Sequence, residues 1–484
     1  MFDFPVPPVD WLAISPIVIV VVTGMLALFV EMIRPKRNNN GVVGVCLLGL
    51  VAAAWAVGVN FGQPEGELLA GMAVRDRFGL VFELLILGAT FMCLLFSEGY
   101  LREKRIPFGE FYPLVLWSAA GGMVMATTRN LLVVFLGIEV LSIALYVLAG
   151  MSRSEERSEE SALKYFLLGA FASGFLLYGI AFVFGATGSL HLGSLAAAWT
   201  SGEAPTRAML VFGLALILIG LGFKNAFVPF HQWTPDVYQG APTNVTAFMA
   251  AVSKIAAIAA LWRVLEGAQV LSVIWLPALS AVAILTMTVG NLVAIVQKDV
   301  KRILAYSSIS HAGYVLVGVL AHFKSPGEIG ATTVFYYLLS YSLMTIGAFA
   351  VVSLAARGGR EVTGLASLNG LWKRSPVAAI SLLVFVISLI GIPPTAGFIG
   401  KFLIFRDALQ TGLTPLAIVL AVNSVVSVYY YVGIARAAFV AEEAEEGEGA
   451  AMNPALAGTC ALCAVGVFAA AFLFEPLVSF MGLR

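Results

Sequence analysis

The sequence predicts an all-α polytopic membrane protein with about 14 transmembrane helices. Three observations carry the prediction. Of 484 residues, 60% are apolar and 12% charged, where a soluble globule carries about 45–50% and about 25%. The mean hydropathy is +0.94. The roughly 290 apolar residues suffice for about 14 spans of about 20 residues each, and hydropathic runs bounded by charge or turn clusters mark out that number.

In order, the runs are 12–33, 41–60, 78–97, 111–128, 130–151, 161–185, 208–230, 241–265, 272–297, 302–322, 329–356, 376–404, 414–438 and 454–480. The first lies behind Asp3 and Asp10. It has no basic segment before it and no small-residue cleavage site after it, so it reads as a retained span.

Composition also excludes function classes. The 28 basic and 28 acidic residues cancel, whereas a nucleic-acid-binding face needs a surplus of Lys and Arg. Cys46, Cys93, Cys460 and Cys463 are too few for a disulfide framework or a pair of iron-sulfur clusters. The Cys460-x-x-Cys463 pair lies inside an apolar run and reads as small buried residues. There is no Walker loop and no Gly-rich turn after a strand signal. Nucleotide-driven or self-contained redox chemistry is therefore not expected, and no cofactor or metal site is expected in this chain.

Orientation follows from where Lys and Arg fall outside the spans. With the N-terminus outside, inner loops hold sixteen: Arg34, Lys36, Arg37, Arg102, Lys104, Arg105, Arg153, Arg157, Lys298, Lys301, Arg302, Arg357, Arg360, Lys373, Arg374 and Arg436. The outer side holds eight: Arg75, Arg77, Arg129, Arg207, Arg263, Lys324, Arg406 and Arg484. Both termini are expected on the non-cytoplasmic side. The acidic run Glu442, Glu443, Glu445, Glu446, Glu448 then falls in an inner, solvated linker.

That accounting leaves four of the 28 basic residues inside apolar runs: Lys164, Lys224, Lys254 and Lys401. Glu139 joins them, about 12 Å into the fifth span at 1.5 Å per residue. A charge near mid-bilayer costs at least about 2.5–3.5 kcal/mol, so such residues face partners or water. The plain alternative is snorkelling to an interface from a helix end. It applies most directly to Lys164, for which both readings stand. Glu83, early in the third span, reads equally as a buried structural hydrogen bond, an inter-subunit contact or a transport residue. His231 and His311 read as core histidines, with a haem pair as the remote alternative. Glu31 is assigned no role.

Two spans look broken. One runs Leu221-Gly222-Phe223-Lys224-Asn225-Ala226-Phe227-Val228-Pro229-Phe230-His231, the other Gly391-Ile392-Pro393-Pro394-Thr395-Ala396-Gly397-Phe398-Ile399-Gly400-Lys401. Gly and Pro release backbone groups from the helix ladder, which membrane depth tolerates only where protein or water satisfies them again. The breaks fall in the seventh and twelfth spans, five helices apart. An odd offset inverts helix direction, so two inverted five-helix repeats, spans 4–8 and 9–13, are expected. The corresponding organisation is a three-helix region over 1–110, repeats over 111–266 and 267–440, and an acidic loop with a C-terminal helix over 441–484.

The stretch Phe223-Lys224 through Pro229-Phe230-His231-Gln232-Trp233-Thr234-Pro235-Asp236-Val237-Tyr238-Gln239-Gly240-Ala241-Pro242-Thr243, on to Val245-Thr246-Ala247-Phe248, closely resembles the subunit N family of respiratory complex I. That family of the proton-translocating NADH:quinone oxidoreductase is the bacterial counterpart of mitochondrial NADH dehydrogenase subunit 2. The resemblance continues through Lys298-Asp299-Val300-Lys301-Arg302-Ile303-Leu304-Ala305-Tyr306-Ser307-Ser308-Ile309-Ser310-His311-Ala312-Gly313-Tyr314 and from Gly391-Ile392-Pro393-Pro394 to Lys401-Phe402. It covers essentially the whole chain. One departure is Asn244, where the family usually has Pro.

The resemblance implies an antiporter-like, proton-translocating subunit of the bacterial inner membrane. It would hold no flavin or cluster of its own and would partner other membrane and hydrophilic subunits that carry them. It implies roles for Glu139 as the fifth-span acid, Lys164 beside it, Lys224 at the seventh-span break, Lys254 as the central lysine and Lys401 at the twelfth-span break. His231 and His311 would belong to the hydrated polar axis. A carboxylate and an ammonium about 4 Å apart gain about 4 kcal/mol at an effective dielectric of 20, enough for one proton's move to shift the next site's affinity.

Two other readings compete. A subunit of a multi-subunit sodium/proton antiporter would share the fold, the fifth-span Glu and the broken-helix Lys, but would lack the Trp233-Thr234-Pro235-Asp236-Val237-Tyr238 wording. A structural scaffold would do better with apolar residues at the buried charged positions.

Overall fold

The computed structural model describes residues 9–33, 39–106, 109–326, 330–357, 360–439 and 452–482. Asp3, the Arg34, Lys36 and Arg37 group, the acidic run from Glu442 to Glu448 and Arg484 lie outside the described residues.

Among the described residues twenty α-helices are formed. The first six are α1 (Trp11–Ile33), α2 (Asn40–Asn60), α3 (Arg77–Glu103), α4 (Phe111–Ala126), α5 (Leu131–Ala149) and α6 (Glu156–Thr187). Next come α7 (Ser194–Ser201), α8 (Ala204–Asn225), α9 (Trp233–Gly240), α10 (Thr243–Phe248), α11 (Lys254–Gly267), α12 (Ser272–Ile295), α13 (Val300–Lys324) and α14 (Thr332–Val352). The series ends with α15 (Leu371–Arg374), α16 (Pro376–Ile390), α17 (Ala396–Gln410), α18 (Thr414–Phe439), α19 (Pro454–Phe472) and α20 (Phe474–Met481). Two short antiparallel hairpins, Gly66–Leu68 with Ala73–Arg75 and Ala356–Arg357 with Arg360–Glu361, were not expected from the hydropathy pattern.

Among the described residues, twelve helices are long and apolar enough to cross a membrane, one being the continuous run Thr243–Gly267. The shorter apolar helices α4 and α16 supply the other two spans once α16 is joined to α17. This is a multi-pass all-α membrane protein. The span Thr243–Gly267 is wholly buried and α13 and α14 nearly so, whereas α1, α6, α12 and α19 bury only one stripe. The centre of the bundle is thus built from the spans that carry Lys254 and His311.

The boundaries differ from expectation in three places. The seventh span ends at Asn225 rather than residue 230, because Ala226 takes a left-handed conformation. The twelfth is two half-helices separated by 391–395. The last splits at Leu473, whose φ/ψ leaves the helical ladder.

The five-span spacing recurs in detail. Asn130 caps α5 by accepting from Leu132 N–H, and Asp299, 169 residues on, caps α13 by accepting from Lys301 N–H. Each cap is stitched to a later loop by a pair of backbone bonds, Leu131 to Leu190 and Leu192 to Arg129 in one case, Val300 to Thr363 and Leu365 to Lys298 in the other. A methyl at Gly121 would lie 2.7 Å from Leu141 N and 2.8 Å from Gly137 O; at Gly290 it would lie 2.7 Å from Ser310 N and 3.0 Å from Tyr306 O. These contacts keep the same 169-residue offset. The small residues let α4 cross α5, and α12 cross α13, at backbone contact.

The two breaks also match. Ala226 (φ 60°) and Gly391 (φ 88°) are left-handed. In each, the next residue's N–H reaches back to close the helix: Phe227 to Gly222 O at 2.8 Å, Ile392 to Ile387 O at 3.2 Å, as in a Schellman ending. An odd number of crossings separates the two series, so matching helices run in opposite directions.

The ends of the bundle differ in chemistry. One face, here the basic face, gathers Lys104, Arg157, Lys298, Lys301 and Arg302 around the second hairpin. The opposite face holds Arg75 paired with Asp10, and Arg77 donating to the Phe480 and Met481 carbonyls, which ties α3 to the chain's last helix.

Candidate functional site: a buried polar axis

Lys224 occupies the last turn of α8, where the break frees the backbone. Its ammonium donates to Ser142 Oγ (2.8 Å) and to Tyr165 OH (3.0 Å), and only 5% of the residue is exposed. Ser142 lies one turn from Glu139 on α5. Glu139 is half-buried and accepts a hydrogen bond from Ser173 Oγ on α6. Ser142, Ser173 and Lys224 line one narrow cleft between α5, α6 and α8. Among the described residues Glu139 makes no ion pair within 4.0 Å. The expected carboxylate–ammonium contact at about 4 Å is therefore not formed, because Ser142 takes the ammonium.

Lys254 follows a π-helical turn, Met249–Ser253, that dislocates the ladder just before it. Such insertions free a carbonyl and re-aim the following side chain. Its ammonium donates to the Ser308 carbonyl and to Ser308 Oγ (2.7 Å), and lies 5.4 Å from the centre of the Tyr341 ring. His311 is one turn further along α13. Its Nδ1 lies 2.8 Å from Tyr337 OH and its Nε2 3.2 Å from Tyr431 OH, which also meets Ser307.

Ser308 and His311 stand 169 residues after Glu139 and Ser142. The second series of helices thus repeats the first at its polar step, with Ser in place of Glu and His in place of Ser. Lys254, carried by the last helix of the first series, lies against the step of the second and joins them.

Lys401 sits in α17 beyond the second break and folds back. It donates to the carbonyls of Leu389 and Ile390, both at 2.9 Å, while packing over Tyr314. These carbonyls end α16 without helical partners, and the helix dipole favours a cation there.

Two of the expected residues lie apart from this row. Lys164 is not beside Glu139. It pairs with Glu160 (2.6 Å) and Asp236 (2.9 Å) at the basic face, with 42% of its side chain exposed, because two turns of α6 carry it only to the membrane boundary. His231 lies in the break loop, half-buried, and its Nδ1 has no hydrogen-bond partner among the described residues. It does not touch the Lys254–His311 group.

Counting only in-span lysines also missed buried cations. Arg263, placed outside by the sequence count, belongs to α11 with 1% of its side chain exposed; it grips Asp76 with two bonds of 2.6 Å and donates to Ala126 O. Lys104 and Lys301 are equally buried. Of the polar partners, Ser142 and Ser308 were legible in principle, since each lies three residues from a singled-out position. Tyr165, Tyr337 and Tyr431 carried no such signal. Cys460 and Cys463 are buried free thiols, Cys463 against Met92 sulfur at 3.6 Å.

Glu83 is buried, at 1% exposure, in a span packed against α10, α11 and α14.

The chain is similar to known proteins along most of its length. NADH-quinone oxidoreductase subunit N of Trichlorobacter lovleyi is 43% identical over 422 residues, 87% of this chain and 86% of that protein. A chain in the structure of respiratory complex I from Thermus thermophilus with bound aureothin superposes with a TM-score of 0.81 at 37% identity, over 96% of this chain and 98% of that one. A chain of the Mrp complex from Dietzia sp. reaches a TM-score of 0.83 at 24% identity, over 98% and 97%, a likeness of fold alone. Residues 128–427, the stretch that contains both breaks and the whole polar axis, match the family described as NADH:quinone oxidoreductase/Mrp antiporter, TM, and the chain belongs to that family.

Proposed function

We propose that this chain is the antiporter-like membrane subunit N of a respiratory NADH:quinone oxidoreductase. It moves protons along the row Glu139, Lys224, Lys254, His311 and Lys401, coupled to quinone reduction elsewhere in the complex. The observation that carries the reading is the row itself. Three lysines and a histidine lie buried inside the bundle, each held by hydroxyls or carbonyls rather than by a carboxylate. A scaffold would lower its energy by replacing them with apolar residues. Groups held by neutral acceptors can give up or take a proton without leaving a buried counter-charge stranded.

In this reading Glu139 sets the electrostatic bias on Lys224 through the shared cleft. Lys254 passes the proton between the two series of helices, and Lys401 serves the opposite face. Lys164 and His231 are peripheral, at the basic face and the break loop. The repeats extend over 111–266 and 267–440. The basic face is cytoplasmic and both termini lie on the other side of the bacterial inner membrane. The chain is a non-redox subunit, with flavin and iron-sulfur clusters in partner subunits. The sodium/proton antiporter reading shares this fold, but relatives at about 40% identity over most of the chain are subunit N proteins.

The test is purification through a tag on this chain, followed by proton pumping in vesicles. A partner set with flavin and iron-sulfur subunits, and loss of pumping in Lys254→Met with NADH-to-ferricyanide activity retained, is expected. An assembled Lys254→Met complex that pumps at the wild-type ratio overturns the reading.

A further inference from the structure

Outside the axis, one cluster at the basic face is built from charges that surface packing does not explain. Glu361, on the second hairpin, has 5% of its side chain exposed. Lys104 and Lys301, at 0% and 1%, each lie 3.7 Å from its Oε2. Both lysines are held elsewhere as well, Lys104 by Glu155 and Lys301 by the Ala241 carbonyl at 2.6 Å.

Glu361 faces two ways. It lines an open cleft together with Arg157, Gln239, Asp299, Arg302 and Thr363. Behind it, Tyr100 OH donates to Oε2 at 2.8 Å and accepts from Thr243 N–H at 2.9 Å, while Thr243 Oγ1 donates to Oε1. Thr243 opens the span whose twelfth residue is Lys254, about 16 Å along at 1.5 Å per residue.

A second, independent observation fills that interval. The buried Asn244 Nδ2 has no hydrogen-bond partner among the described residues, and the buried Tyr341 hydroxyl faces Thr345 and Ser308. Asn244 is next to Thr243. Tyr341 lies beneath Lys254, and Thr345 is one turn nearer the basic face on α14, which packs along α10 and the π-turn. Buried polar atoms without protein partners are satisfied by ordered water. These polar groups form a row between Glu361 and Lys254.

We propose that Glu361 is the proton-loading carboxylate of Lys254, taking a proton from water in the basic-face cleft and passing it inward along this row. The transfer balances: carboxylic acid and free amine become carboxylate and ammonium, and Tyr100 and Thr243 remain hydrogen-bonded to the carboxylate throughout. The proposal rests on the translocation reading above, and it gives Asn244 a use that Pro at the same position could not supply.

The test uses the assembled complex in membrane vesicles, comparing wild type, Glu361→Gln, Glu361→Asp, Thr345→Val and Lys254→Met. Expected are normal assembly and ferricyanide reduction throughout and protons per NADH lowered at least about tenfold in Glu361→Gln. Glu361→Asp should keep most of the activity, and Thr345→Val should be impaired without any change in the ion cluster. Wild-type pumping by assembled Glu361→Gln, with Lys254→Met impaired, overturns the loading role alone. Wild-type pumping by Lys254→Met overturns the translocation reading and this inference with it. If Glu361→Gln does not assemble, Thr345→Val decides: wild-type pumping there overturns the proposal.

Discussion

Lys401 donates to the carbonyl of Leu389 at 2.9 Å across the second helix break. When the two breaks are aligned on Ala226 and Gly391, Leu389 falls at the position that Lys224 holds in the first. Each break thus has one lysine, but from opposite sides: Lys224 belongs to the helix that ends and Lys401 to the helix that begins. The first lysine points away to Ser142 and Tyr165, and the second turns back to cap the broken end.

That geometry sharpens the test of Lys401. Arg reaches carbonyl oxygens as well as Lys does, so Lys401→Arg keeps the cap, and assembly and NADH-to-ferricyanide activity should be unchanged. Arg does not release its proton in any accessible state. Pumping per NADH should therefore fall; full pumping by the assembled variant would leave Lys401 a purely electrostatic cap.

Depth separates Lys224 from Lys164. Removing Lys164 breaks half-exposed ion pairs worth at most about 1 kcal/mol, so Lys164→Ala should assemble and lose little pumping. Lys224→Ala empties a buried step of the axis and should cost more than that. Equal losses measured in vesicles would show that burial does not rank the two.

How much of this was legible in the sequence depends on the kind of signal. The spans were, because apolar runs of the required length have few other uses. The buried lysines were, because a charge inside such a run stands out. What escaped were contacts set by three-dimensional packing. Lys164, near a span end, and Lys224, deep at a break, are already separable in the sequence, but only the packing of α9 against α6 brings Asp236 to the first and leaves the second with hydroxyls. Arg263 was counted with the loop charges, because nothing local reveals that Asp76, 187 residues earlier, meets it. The π-turn before Lys254 left no trace either, since Met249–Ser253 reads as ordinary helix.

Arg263 yields a stability prediction away from the axis. Burial pushes the Asp76 carboxyl up, but the hydrogen bonds and charge of Arg263, the Gly79 N–H and the charge of Arg129 outweigh it and hold Asp76 below its ordinary 3.8. A carboxyl lowered in the folded state contributes stability that is fully present above its unfolded value and is lost as pH falls through the folded one. The pair should therefore stabilise fully at neutral pH and lose that stability as pH falls below the ordinary carboxyl value of 3.8. Asp76→Asn removes the closer carboxylate from a buried guanidinium, leaving Glu266 at 3.6 Å, at a cost of about 1.5–3 kcal/mol. Thermal melting of the detergent-solubilised complex should show a lower midpoint for the variant at pH 7, with the difference closing in acid. Identical midpoints at pH 7 would contradict it.

The last prediction concerns Glu139, whose partner proved to be Ser173. Gln accepts the Ser173 hydroxyl as Glu does, so Glu139→Gln should insert and assemble, leaving only the charge removed. If that charge biases Lys224 across the cleft, its loss shifts the lysine's proton affinity by about tenfold or more, the size of effect an opposite charge nearby exerts. Pumping per NADH should fall sharply while electron transfer to ferricyanide is unaffected. Ser173→Ala provides the contrast: it keeps the charge and removes the donor that positions it, so its loss should be smaller. Should Ser173→Ala prove as damaging as Glu139→Gln, the orientation of the carboxylate and not its charge would be what the axis needs; wild-type pumping by Glu139→Gln would remove the residue from the axis altogether.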